Sequence, residues 1–129
     1  MALGMNVTLR NSRLNAITTA AGGSAILTIY NGTQPATGGA ATVALVALTC
    51  NATFAPAASA GVLTLNPITS NAASATGTAT WARLTTSGST QVFDMTVGTS
   101  GTDLILNSTA ISSGATVSIT SATLTDGNP

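Results

Sequence analysis

The stretch Thr76-Gly-Thr-Ala-Thr-Trp-Ala-Arg-Leu-Thr-Thr-Ser-Gly-Ser-Thr-Gln-Val-Phe-Asp-Met-Thr-Val97 decides the fold. Two runs of strand-forming residues flank Ser87-Gly88, a pair suited to a two-residue hairpin turn. Pairing 76–86 with 89–97 about that turn sets Thr80, Ala82 and Leu84 beside Met95, Phe93 and Gln91 on one face. The other face carries Trp81 opposite Asp94 and Arg83 opposite Val92, so Arg83 and Asp94 become diagonal neighbours within reach of each other. An Arg83–Asp94 pair with Trp81 packed beside it is expected, its role being to fix strand register; such a pair contributes ~0–1 kcal/mol where exposed. Trp81 is the chain's single tryptophan. Burying about 150–250 Å² of it contributes roughly 4–6 kcal/mol before costs, which makes it the largest single anchor.

Outward from the hairpin the chain continues as strands and turns. Ala25–Tyr30 is a β-branched and aromatic run ended by Asn31-Gly32, a strong turn pair. Residues 34–41 read as a loop. Residues 42–50 are apolar on both faces, as in a strand between two covered surfaces. Residues 51–61 read as loop or irregular edge, 62–66 as a strand ended by Pro67, and 71–75 as loop. After the hairpin, 103–107 and 115–125 are strands, with a tight turn at 111–114 between them. About seven short strands at near-regular spacing, with no helices between them, predict an all-β fold, an antiparallel β-sandwich of Ig-like or jelly-roll-like form. Its four aromatic residues are Tyr30, Phe54, Trp81 and Phe93, so Ile, Leu, Val and Ala must fill the rest of the core.

The exception is the N-terminal segment. Leu14, Ile17 and Ala21 recur at helical spacing over residues 6–21, Asn6 or Thr8 is placed to cap the start, and Gly22-Gly23 ends it. Its threonines weaken such a helix, which then needs packing to hold it; an arm that orders on a partner is the alternative. The organisation is thus residues 1–23 as arm or helix and 24–129 as the β-sandwich domain.

Charge is scarce. Only 5% of the 129 residues are charged, against about 25% in an ordinary domain. The charges are Arg10, Arg13, Arg83, Asp94, Asp103 and Asp126, and Lys, Glu and His are absent. A net charge of zero removes the usual electrostatic reason for staying apart from neighbours, and a surface of hydroxyls and methyls suits a protein covered by other subunits. Three scattered arginines are too few for a nucleic-acid partner. No apolar run reaches the ~18–20 residues of a membrane helix. The first five residues show no basic-then-apolar leader pattern, so synthesis in a cytoplasm is expected, and four Asn-X-Thr triplets are read as by-products of composition.

The residues also discourage an enzyme. General acid–base chemistry lacks its usual groups, and no serine or threonine has a His or Lys to activate it. Convergence of Asp94 and Asp103 would lack further acidic support. Cys50 lies in an apolar run without a basic neighbour, so it reads as a small buried hydrophobe. No zinc spacing exists, and Thr99-Ser-Gly-Thr-Asp103 offers a calcium ion one carboxylate and reads better as a turn into a strand. No cofactor, metal site or catalytic residue is expected.

Several strings carry a family likeness. They are Leu27–Pro35, Phe54–Asn66, Ala75–Leu84 (ATGTATWARL), and Val97–Thr109 continuing to Gly114–Ile119. In this order they resemble a widespread family of small virion-associated proteins of tailed bacteriophages and prophages, most like a capsid decoration (cement) protein. The likeness covers most of the chain, including the arm near Arg10 and Arg13; Ala82 departs from it, standing where the family has a bulkier apolar residue. The resemblance implies a non-enzymatic partner of the major capsid protein on the virion's capsid surface, assembled in the host cytoplasm. It also implies a homo-oligomer, a trimer by preference, with Arg10 and Arg13 as candidate partner contacts. Trp81, Arg83, Asp94, Phe93 and Tyr30 are expected to be structural. A tail, neck or head-fibre component is the alternative within structural proteins, and a host-surface carbohydrate-binding module the alternative of another class.

Overall fold

A computed structural model of the chain describes residues 4–36 and 39–125. It begins with one helix, α1 (Val7–Ala21), followed by short strands: β1 (Ile26–Tyr30), β2 (Ala44–Thr49), β3 (Val62–Thr64), β4 (Asn71–Ala72), β5 (Gly77–Thr78), β6 (Trp81–Thr85), β7 (Gln91–Gly98), β8 (Leu104–Leu106), β9 (Ala110–Ile111), β10 (Thr116–Val117) and β11 (Ile119–Thr125). The expected helix forms where its caps place it. Asn6 accepts a hydrogen bond from the N–H of Leu9 at 2.8 Å, and Gly22 at φ 69° donates back to Thr18. Leu14 and Ala21 are buried, with Ile17 packed against the same core.

Seven strands share one sheet in the order β2-β1-β6-β7-β8-β11-β3, and the pairs β4–β10 and β5–β9 form two small ladders. The fold is therefore mostly β with a short N-terminal helix. Two sequence expectations change in detail. The segment 71–75 was expected as loop, yet Asn71–Ala72 pairs with β10. Residues 76–86, read as one strand, divide: β5 pairs with β9, and β6 pairs with β1 and β7. Alternation along a strand does not encode such a change of partner, since both halves remain extended.

The wholly antiparallel expectation is also corrected, because β7 and β8 run parallel, Val97 beside Leu104 and Gly98 beside Ile105. A parallel return normally needs a long crossover. Here only two residue pairs overlap, so the chain retreats by a short distance and the loop 99–103 suffices. Asp103 holds that loop. Its carboxylate accepts from Thr96 N (3.3 Å) and Thr96 Oγ1 (3.1 Å) across the crossover. The loop also folds closely onto Gly98, where a Cβ would lie 3.0 Å from Thr102 Cγ2 and 3.2 Å from Thr102 Oγ1.

The core lies on the face carrying Leu27 and Ile29 of β1, Val46 and Leu48 of β2, Ala82 and Leu84 of β6, Met95 and Val97 of β7, and Leu104 and Leu106 of β8, all buried. The strand β2 is not covered on both sides as expected. It is a sheet edge with Ala44, Ala47 and Thr49 exposed, and a bulge opposite Ile29/Tyr30 breaks its alternation. Helix α1 closes the opposite edge at β3: Asn11 Oδ1 accepts from Gly61 N (2.9 Å) and Asn15 Oδ1 from Ala58 N (2.8 Å).

Gly98→Ala is expected to destabilise the protein by about 1–3 kcal/mol through overpacking at the crossover. Adding Thr102→Ser, which removes the methyl and keeps the hydroxyl, should recover part of that loss in urea denaturation; no recovery would place the cost elsewhere.

Candidate functional site

The side chains singled out from the sequence gather on the sheet face turned away from the core. Strand β1 delivers Tyr30 and β6 delivers Trp81 directly opposite it. Their rings stack with centroids 4.4 Å apart and planes 15° apart. Arg83, two residues along, places its guanidinium carbon 5.2 Å from the centre of the Trp81 ring. Across the hairpin, Asp94 takes Arg83 in a fork: Nε to Oδ1 at 2.7 Å and Nη2 to Oδ2 at 3.1 Å. Gln91 Nε2 also reaches Asp94 Oδ1, at 3.5 Å.

The pairing differs from the expected one by two residues. Arg83 stands opposite Asp94 itself, and Trp81 opposite Thr96. The turn accounts for one residue. Its loop is 87–89, with Ser89 at φ 70° and Ser89 N donating to Thr86 O at 2.9 Å. A register shift between Leu84 and Thr85 accounts for the other, leaving Val92 without an opposite residue. Beyond the bulge the slip is two residues, so Ala82, Leu84, Phe93 and Met95 keep one face and Trp81, Arg83 and Asp94 the other; on the turn side it is one residue, so Gln91 moves from the expected core face to the Asp94 face and Val92 packs toward the core.

Asn31, Gly39 and Thr42, from the segment between β1 and β2, cover this cluster. The indole N–H of Trp81 donates to Asn31 O (3.1 Å) and Thr42 Oγ1 (3.0 Å), and the Thr42 hydroxyl donates to Asn31 O. Asn31 Oδ1 accepts from Val43 N at 3.2 Å, and Arg83 Nη2 donates to Gly39 O at 2.8 Å. Trp81 is 1% exposed as a result. The turn pair Asn31-Gly32 was legible; the reach of the Asn31 amide to residue 43 carries no local signal. The Asp94 hydrogen bond raises the Arg83 pKa further, so this guanidinium stays charged and acts as a structural cation.

The other named residues lie apart. Phe93 is half-buried on the core face, lining a cleft of about 320 Å³ with Leu14, Ile17, Leu124 and Asp103. Arg13 is on its rim and donates to Met5 Sδ at 3.0 Å, while Arg10 is half-buried one helical turn earlier. The two described aspartates do not converge; each serves its own strand junction. Asp126 lies outside the described residues. Among the described residues no three His, Cys, Asp or Glu side chains gather, and no helix is long and apolar enough to cross a membrane.

A double-mutant cycle on Arg83→Met and Asp94→Asn is expected to give a coupling of roughly 1–3 kcal/mol, above that of an exposed pair, because the side chains are only 11% and 5% exposed. Additive effects in urea denaturation would show the fork to be incidental. Burial pushes the Cys50 thiol from 9.0 up to about 11. An unfolded chain then ionises this thiol before the folded one does, so stability is whole below pH 9 and falls as pH rises toward 11. Cys50→Ala should flatten the urea midpoint over that window relative to the parent chain, and an unchanged slope would contradict the assignment.

With the cluster engaged in packing, the surface left to other molecules consists largely of hydroxyls, amides and methyls. Compared with protein-family models, curated proteins and solved structures, the chain matches none of them.

Proposed function

We propose that the chain is a structural protein of a tailed-phage particle, a decoration protein that binds the major capsid protein lattice on the outside of the head and stabilises it. One observation carries the reading: Arg83, Asp94 and Asp103 are engaged inside the fold, which leaves a zero-net-charge chain with few charges to present to a partner. Such a surface fits closely against neighbours without the cost of burying unpaired charge. The order of the phage-like strings supports the same role. Many weak contacts, repeated by the symmetry of a shell, add up through avidity, and a homo-oligomer, by preference a trimer, suits a symmetry axis. Assembly in the host cytoplasm completes the picture.

The helix α1 is the candidate contact. It exposes Val7 (43%) and Leu9 (48%) beside Arg10 and Arg13. We read the body behind it as sandwich-like. The extended segments β5–β6 and β10–β11 each pass from a small ladder into the large sheet, as strands do at the corners of packed sheets. Both halves of the large sheet contribute to one core. A carbohydrate-binding module is disfavoured, because Trp81 and Phe54 are buried, Tyr30 is stacked on Trp81 and Phe93 is half-buried by itself in its cleft, so the four aromatics line no common exposed groove.

Quantitative mass spectrometry of particles from the virus or prophage that encodes the chain tests this role. A copy number comparable with that of the major capsid protein is expected. A far lower number would move the chain to the tail or neck, and absence from particles would overturn a virion role.

A further inference from the structure

Asn31-Gly32 is the only Asn-Gly pair in the sequence. This dipeptide is chemically weak, because glycine has no side chain to shield its nitrogen from the preceding amide. The Gly32 nitrogen attacks Asn31 Cγ; the new C–N bond closes a five-membered imide, the Cγ–Nδ2 bond breaks, and ammonia leaves with the displaced proton. Water then opens the ring at either carbonyl, giving aspartate or isoaspartate.

We propose that Asn31 is the chain's principal deamidation site and that the fold keeps it silent while its bonds to Thr42, Val43 and Trp81 hold. The reaction needs Cγ to swing onto the following nitrogen, and the structure holds both ends of that movement. The side-chain oxygen is fixed by Val43 N (3.2 Å). The backbone is fixed by Asn31 N donating to Val43 O (3.2 Å) and by Asn31 O accepting from Trp81 Nε1 and Thr42 Oγ1. Gly32 is exposed, so the nucleophile is open and the electrophile is restrained. Conversion therefore waits on local opening of the loop.

The consequences reach beyond residue 31. Deamidation adds one negative charge to a chain of net charge zero. Isoaspartate also lengthens the backbone by one carbon at the carbonyl that holds the Trp81 indole. An opened loop that converts cannot close in the same way again, so the site records past openings irreversibly. This inference is independent of the virion role.

The test incubates the full chain at mildly alkaline pH, with and without urea, and follows each asparagine by peptide mapping and the charge by isoelectric focusing. Asn31 should convert faster than every other asparagine in urea, and roughly tenfold or more slower in the folded chain. Thr42→Val, which removes one restraint on Asn31 O, should speed conversion in the folded chain and leave the urea rate unchanged. Gly32→Ala, measured only in urea so that folding is immaterial, should slow Asn31 by about tenfold through steric shielding. Equal rates in folded and unfolded chain, another asparagine leading in urea, a native rate indifferent to Thr42→Val, or an unfolded rate indifferent to Gly32→Ala would each overturn the proposal.

Discussion

The indole N–H of Trp81 organises the side of the sheet that the main core does not reach. A sheet this rich in small residues buries little area per residue on its inner face, and its outer face would be wet without a cover. Tyr30 stacked on the indole and Arg83 above it supply part of that cover. The rest comes from the described residues between β1 and β2, none of whose side chains is buried. They are held by hydrogen bonds instead, converging on Asn31 O from the indole and from Thr42. A buried indole needs an acceptor and a loop needs an anchor, and one carbonyl serves both.

The Arg83–Asp94 fork belongs to the same construction. Two opposite charges placed directly across a hairpin fix its register, because a slip in either direction would leave one charge partly buried without its partner. Arg83 extends the effect by donating to Gly39 O, so the far end of the covering loop depends on the register of β6 and β7. Hairpin pairing, indole burial and loop closure are thus coupled, and a change at any one of them should be felt at the others.

The parts of this arrangement that were legible in the sequence are those encoded in alternation. Ala82, Leu84, Phe93 and Met95 on one face, Trp81, Arg83 and Asp94 on the other, follow from period two alone, and a register error of two leaves them in place. The size of that error was not legible, because Ser89 in a left-handed conformation and an extra residue at Val92 are not signalled by their residue types. Helix α1 was readable from Asn6, Leu14, Ile17 and Gly22, each a local signal. The parallel β7–β8 pair was not, since nothing distinguishes a loop that turns back antiparallel from one that retreats by two residues. The hydrogen bonds that Asn11, Asn15 and Asn31 accept from distant backbone, and that Asn71 donates to it, were hidden for the same reason: an amide side chain names no partner.

Those asparagines answer a problem that charge scarcity creates. Sheet edges invite pairing with other chains, and proteins commonly guard them with lysine or other charges. This chain has no lysine, and its two sheet edges are guarded by neutral groups. At β2, Ser74 N and Ser74 Oγ donate to Leu45 O at 2.8 and 3.2 Å, and Asn71 Nδ2 donates to Ala47 O at 3.0 Å. At β3, Asn11 and Asn15 bring the helix against the adjoining loop. Guarding of this kind satisfies backbone groups without adding charge, so it blocks edge pairing while keeping the surface around the edges uncharged. A charged guard would achieve the first and not the second, and any partner would have to desolvate it. The neutrality of the surface and the pairing of the edges are therefore two results of one choice of residues.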